Sequence, residues 1–400
     1  MNGLIPNRAI PGRTRPLRVL IAGGSLGGLY AGLALRSMGC DVDIFERSQG
    51  LMEDRGAGLS VHEAMLAYLE EHGIATSDEV NIYCRLRRFV DRDGKTLAVS
   101  WAPQRRTSWD VLYRQLRKAF PDANYHFNEE LLSFDQDDSA VHAKFKSGKT
   151  LDADLLVCAD GVHSHCRSIL LPQVRPQYVG YVAWRGVVQE RDVAPEVVDE
   201  LKDRFTFYQM PHSHFLTYLI PGPKGSVAPG ERRLNWVWCI NRPDGRELEE
   251  LLLDNRGQQR HFSVPPGFLG EDFVRWIHVH AKEMLPPVFR EEVLATSEPF
   301  VQPIFDVSVP QMAFGRICLL GDAAFVVRPH TTSGTYKASR AAIDLAECLY
   351  EFKGEVMSAL KAWEPEQMRL GYELERQGQA LGLERQGNAL GDHSQSTEED

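Results

Sequence analysis

The sequence has no apolar run approaching the roughly 20 residues needed to cross a bilayer, and no signal-type stretch at its start. Met1 to Arg18 is polar and carries Pro6, Pro11 and Pro16. The basic residues there (Arg8, Arg13, Arg15, Arg18) admit a targeting peptide, but the prolines favour a flexible arm over residues 1–16. Lysine and arginine never cluster, and a net charge of −10 repels phosphate backbones, so no nucleic acid and no membrane partner is expected. Cysteine is sparse. Seven residues (Cys40, Cys84, Cys158, Cys166, Cys239, Cys318, Cys348) are scattered and odd in number, without the close pairs of a zinc site or redox couple, which fits a reducing cytoplasm. Three His-x-His pairs (163/165, 212/214, 278/280) have no carboxylate or cysteine ligand set beside them, so no metal is expected.

What remains is an ordinary globular composition, 43% hydrophobic and 25% charged, on 400 residues, which predicts two or three domains. Leu17 to Ala22 reads as a strand, Gly23 to Gly28 as a tight turn, the apolar pattern through Leu35 as a helix, and Asp41 to Phe45 as a second strand. This is a β-α-β unit. Thr150 to Ala159 alternates acidic and apolar residues and ends in Leu155 to Ala159, read as a buried strand that stops at Asp160-Gly161, and Arg316 to Leu320 reads as a further one, ending at Gly321-Asp322. Tyr178 to Asn241 alternates and is rich in aromatics, as an inserted antiparallel sheet would be. From Ser339 onward the composition is helical and includes a duplication, LERQGQALG followed by LERQGNALG, read as an extended helical tail.

The GGSLGG turn places glycine where the chain must bend sharply, at Gly23, and where helix meets sheet, at Gly28, so that a pyrophosphate can sit over the helix N-terminus. Ser25 replaces the usual middle glycine, and taken alone such a turn is also just a turn. Glu46 follows Gly23 by 23 residues, where a carboxylate accepts ribose hydroxyls; alone it is also an exposed strand-end carboxylate.

Two more segments carry a resemblance. Cys158 to Arg167 (CADGVHSHCR) resembles the DG fingerprint, and Arg316 to Ala324 (RICLLGDAA) the GD fingerprint, of the class A FAD-dependent aromatic monooxygenases with the hydroxybenzoate hydroxylase-like fold. With the glycine turn, these cover Leu17 to about Leu349. The resemblance implies an α/β fold: a Rossmann-like FAD-binding domain (17–75, 103–177, 295–350), an inserted antiparallel-sheet substrate domain (76–102, 178–294), C-terminal helices (351–391) and a disordered tail (392–400). It implies non-covalent FAD, held by Gly23, Gly24, Ser25, Leu26, Gly28, Glu46, Arg47, Gly58, Asp160, Arg167, Asp322 and Gly334, with NADH or NADPH as co-substrate. In that family a flavin hydroperoxide delivers one atom of O2 to a small aromatic substrate, and a homodimer is compatible with it. Two departures stand out: Ser108 where the family usually has a flavin-contacting arginine, and Phe325 where it often has histidine.

Within the family, Gly180 to Val187, His214 to Gly222, Arg328-Pro329-His330 and Lys337-Ala338-Ser339 resemble the dihydroxypyridine hydroxylases and, less closely, the hydroxynicotinate monooxygenases. The implied catalytic residues are His214, Tyr218, Pro329 and His330. Ser60, His62, Trp184, Arg185 and Trp236 are the implied substrate contacts, with Ser60 and His62 on one face of the Arg55 to Ser60 loop if it runs extended. His62 alone reads equally as a solvated surface residue. His214 and Tyr218, four apart on a strand, share a face among Phe207, Phe215 and Trp236, where a base would remove a pyridinol or phenol proton. Without the resemblance both would be placed on the solvated outer face. A flavin dehydrogenase or oxidase, or a non-catalytic binder resembling the Rab GDP-dissociation inhibitors, would share parts of this pattern; the first would not transfer oxygen and the second would lack the flavin contacts.

Overall fold

Strands Arg18–Ala22 and Asp41–Glu46 run parallel, with Val19 opposite Val42 and Ile21 opposite Ile44, joined by helix Leu26–Ser37. The computed structural model describes residues 8–52 and 57–387. In it these strands belong to a six-stranded sheet ordered Ala313–Phe314, Ile317–Leu319, Leu155–Cys158, Arg18–Ala22, Asp41–Glu46 and Tyr125–Phe127. Leu155 to Cys158 is wholly buried, as a strand covered on both faces requires.

The buried strand expected at Leu155 to Ala159 is Leu155–Cys158, and the alternating residues before it form a separate strand. Thr150–Ala153 belongs to a small antiparallel sheet with Leu131–Gln136 and Val141–Phe145, and Leu155–Cys158 to the parallel sheet. Asp154 marks the break, accepting the Arg18 N–H and the Arg15 guanidinium, each at 2.8 Å. Those contacts also correct the flexible-arm expectation for residues 8–16. Ile10 is buried, Arg8 N–H donates to the Ser37 carbonyl at 2.9 Å, and Arg13 reaches the Gly354 carbonyl. Residues 1–7, the segment 388–391 and the expected tail lie outside the described residues.

The second sheet has eight strands in the order Phe300–Asp306, Gln177–Gln189, Arg233–Asn241, Ser213–Ile220, Arg204–Met210, Ile82–Val90, Thr96–Ser108 and Gly58–Val61. Only Arg204–Met210 and Ile82–Val90 pair in parallel. Its membership departs from the expected boundaries, since Gly58–Val61, the end of Thr96–Ser108 and Phe300–Asp306 all join it. The 13-residue strand Thr96–Ser108 leads into helix Trp109–Ala119, which packs on Leu26–Ser37, and Gly58–Val61 pairs with its end, Ser60 opposite Arg106.

The segment 178–294 is not sheet throughout. Helices Pro195–Leu201, Glu271–Met284 and Pro287–Ala295 cover one face of the second sheet, where Trp184 stacks on Trp276 (ring centres 5.5 Å apart) and Phe215 on Phe289 (4.8 Å). Helix Gly334–Glu351 packs on Leu26–Ser37. The 31-residue helix Val356–Gln386 is no free tail. It packs on Gly334–Glu351 and ends on the second sheet, where the Arg385 carbonyl accepts from Gln209 at 2.9 Å.

Candidate active site

A cavity of roughly 870 Å³ lies between the glycine turn and the open face of the second sheet. On the turn side, Gly23 sits at φ 102°, and a Cβ there would strike the Ala159 carbonyl; at Gly28 a Cβ would strike the Gly23 carbonyl. The Ser25 side chain caps no helix N–H, its carbonyl takes only the ordinary helical bond from Leu29 N–H at 2.9 Å, and the first turn carries no acidic residue. The free N–H groups and the positive helix end therefore face the cavity, which Ser25 and Leu26 line. Glu46 accepts Gly24 N–H and Ser48 N–H, both at 2.8 Å, and each oxygen keeps a second lone pair. Arg47 is exposed beside it.

Asp160 and Arg167 are not in the cavity wall. The Asp160 carboxylate accepts Ser164 Oγ–H at 2.5 Å and Cys166 N–H at 3.0 Å, fixing its own turn to the following helix. Arg167 donates to the Ala323 carbonyl at 3.0 Å and the Val162 carbonyl at 2.7 Å, tying the DG turn to the GD turn. Asp322 does line the cavity, its carboxylate 2.9 Å from Lys337 Nζ, and so does Gly334 at the start of the next helix. A turn too tight for side chains, a bare helix N-terminus and a carboxylate at two strand ends together fit a dinucleotide, pyrophosphate at the turn.

The opposite wall follows the strand alternation. His214, Leu216 and Tyr218 face the cavity; Cys239 lies opposite His214 in the pairing and Val237 opposite both Leu216 and Arg185. Arg185 donates to Gln302 Oε1 at 2.9 Å and reaches the Gly58 carbonyl. Ser60 and His62 line the cavity too, and the His62 ring stacks on Tyr336 at 4.4 Å. Arg55 and Gly56 of that loop lie outside the described residues. Pro329 and His330 close the side, with Tyr181 Oη and His330 Nε2 sharing a hydrogen bond at 2.8 Å. Burial dominates the electrostatics: it holds the His62 and His330 pKa values below the ordinary histidine value, lowers His214 to about 3, and raises the Tyr218 phenol. These imidazoles are neutral at pH 7.

Two expected substrate contacts are corrected. Trp184 and Trp236 point to the helix-covered face, the latter donating to Thr296 at 2.8 Å, and Phe215 is with them; Phe207 alone of the expected aromatic set reaches the cavity. Being of even number on Gln177–Gln189 and Arg233–Asn241, both tryptophans take the face opposite to Arg185 and Val237. The departures have counterparts in packing. Ser108 Oγ accepts from Arg233, which also pairs with Asp110, and Phe325 packs edge-on against Tyr372 of the C-terminal helix.

The sequence reading missed Arg106 and the end of the C-terminal helix. Arg106, fully buried, bonds Ser60 and Gln104, and its Nε has no partner among the described residues. Its place two residues before Ser108, on the same strand face, was the available signal. Arg385 and Gln386 had none, because nothing in a helical repeat tells where the helix docks.

The fold and cradle define a dinucleotide-binding α/β protein. A model of FAD binding domain-like proteins matches residues 178–306. The chain is 35% identical to the 2,6-dihydroxypyridine 3-monooxygenase of Paenarthrobacter nicotinovorans over 89% of its length and 88% of that protein's. It is 24% identical to the 6-hydroxynicotinate 3-monooxygenase of Pseudomonas fluorescens, covering 84% and 83% of the two chains. The solved structure of 2,6-dihydroxypyridine-3-hydroxylase from Arthrobacter nicotinovorans superposes with a TM-score of 0.88 at 34% identity, over 93% of each chain. The chain therefore belongs to the FAD-dependent aromatic monooxygenases, flavoproteins that use NAD(P)H as reductant.

Proposed function

We propose that this monooxygenase hydroxylates a hydroxypyridine-type ring or a comparably electron-rich phenol. One observation carries the reading: polar groups of the second sheet, His214, Tyr218, Arg106 and Arg185, share a single cavity with the glycine turn, Asp322 and Gly334. The similarity to a dihydroxypyridine monooxygenase favours the N-heteroaromatic class. FAD held there would supply the oxygen-transfer chemistry, with electrons from NADH or NADPH, one atom of O2 going to the ring and the other to water. Gly23, Gly24, Ser25, Leu26 and Gly28 would hold its pyrophosphate, Glu46 and Arg47 its adenosine end, and Asp322, Gly334 and Gly58 its ring-bearing end. Asp160 would act by fixing its turn to the following helix, and Arg167 by tying that turn to the Gly321-Asp322 turn.

The ring would lie against Leu216, Phe205 and Phe207, which keep water from the reacting face. Ser60, His62 and Arg185 contact its polar substituents, and Pro329 and His330 bound it from the side. His214 and Tyr218 are the groups placed to hold the ring hydroxyl, whose loss of a proton makes the neighbouring carbon more nucleophilic. The protein would work in the cytoplasm, where reduced thiols suit its free cysteines. The test is a panel of hydroxypyridines and phenols with purified yellow protein, reading NAD(P)H oxidation and product mass. Gain of one oxygen atom by a hydroxypyridine supports the reading; ring-stimulated NAD(P)H oxidation that never yields an oxygenated product refutes it.

A further inference from the structure

The last turn of the C-terminal helix is built into the second sheet. A helix end leaves carbonyls without helical partners, and here the sheet supplies them: Gln209 donates to the Arg385 carbonyl at 2.9 Å, while Asn241 at 3.0 Å and His212 at 3.2 Å bond the Gln386 carbonyl. This fixed end carries two side chains to the cavity. Arg385 lines it above the Phe207 ring, and Gln386, buried behind the wall, brings Nε2 to 2.6 Å from His214 Nδ1.

With the Gln386 amide oriented so that Nε2 faces the ring and Oε1 has no partner among the described residues, its N–H donates, which makes His214 Nδ1 the acceptor and assigns the imidazole proton to Nε2. Nε2 is the other ring nitrogen, and among the described residues it has no hydrogen-bond partner. We infer that Gln386 is a positioning residue that holds His214 in the Nε2–H tautomer, making His214 a hydrogen-bond donor to the substrate's ring oxygen and not the base that takes its proton. The positive charge of Arg385 nearby further disfavours an imidazolium, which accepting that proton would create. The duplicated segment thus has a use: its second copy, LERQGNALG, contains Arg385 and Gln386. The role of donor to substrate rests on the hydroxylation reading above; the tautomer does not.

The experiment is long-range proton-nitrogen correlation on FAD-loaded protein with nitrogen-15 histidine, without substrate, the His214 signals being identified by their loss in His214→Ala. The expected pattern is a protonated Nε2 and a bare Nδ1. In Gln386→Glu the carboxylate accepts, so the proton should move to Nδ1. Product formed per NAD(P)H consumed should then fall roughly five- to tenfold, about one hydrogen bond's worth, with FAD content and KM for NAD(P)H unchanged. Gln386→Leu should lower that ratio similarly. A proton on Nδ1 in the wild type, or a wild-type ratio in Gln386→Glu, overturns the inference. Should no ring be hydroxylated by the wild type, the functional reading falls while the nitrogen spectrum still decides the tautomer.

Discussion

The central carbon of the Arg106 guanidinium lies over the Phe205 ring, 3.9 Å from its centre, and 4.8 Å from that of Tyr218. Desolvation by complete burial lowers its pKa, and no carboxylate among the described residues compensates it. Such a charge costs stability unless a ligand uses it. Arg106→Met should therefore leave the melting temperature unchanged or raised, while KM for the ring substrate increases roughly ten- to a hundredfold, the scale of a charged hydrogen bond. A lowered melting temperature with unchanged KM would place Arg106 in the scaffold only.

Asp322 faces the cavity with Lys337 as its partner, and Lys337 also donates to the Phe325 carbonyl. Removing the carboxylate in Asp322→Ala deletes a charged acceptor, so FAD should bind more weakly by about 1.5 to 3 kcal/mol. Equilibrium titration of apoprotein with FAD measures this, and an unchanged dissociation constant removes Asp322 from the cofactor site. Acid precipitation of the wild type should release all flavin into the supernatant.

For His214→Ala, the loss of a preorganised donor should slow oxygen transfer by roughly a hundredfold. Tyr218→Phe should have an effect of the same order if the phenol holds the ring hydroxyl. FAD content should stay at the wild-type level, and NAD(P)H oxidation should yield hydrogen peroxide in place of product. Stopped-flow rates and peroxide assay check both; unaltered coupling in both variants would remove the pair from the chemistry.

Glu292 is a buried carboxyl on the covered side of the second sheet, taking a hydrogen bond from Thr217 at 2.6 Å, and burial pushes its pKa from 4.5 to about 8. Between those values the folded protein keeps a proton that the unfolded chain has lost. Its contribution to stability is thus complete below pH 4.5 and declines as pH rises through about 8. Melting temperature should fall over that interval, and Glu292→Gln should flatten the dependence. A Gln variant with the wild-type slope would show that another group titrates.

The Rossmann-like half was legible in the sequence because its signals are local. A turn at Gly23 admits only glycine, a β-α-β unit has a fixed length, and Glu46 and Asp322 must fall at strand ends, so spacing along the chain determined them. The facing of the second sheet was not legible. Alternation says that His214, Leu216 and Tyr218 share a side, but strand Arg233–Asn241 is buried on both faces over most of its length, so composition cannot say which side helices cover. Only packing put Trp184 and Trp236 beneath helices and Arg185 in the cavity. The same holds for the partner of His214: 172 residues separate it from Gln386, and no periodicity relates a strand residue to the last turn of a distant helix. That contact, and the proton position it sets, came from tertiary structure alone, because docking of a helix end depends on shape and hydrogen-bond complementarity between surfaces that the linear pattern does not encode.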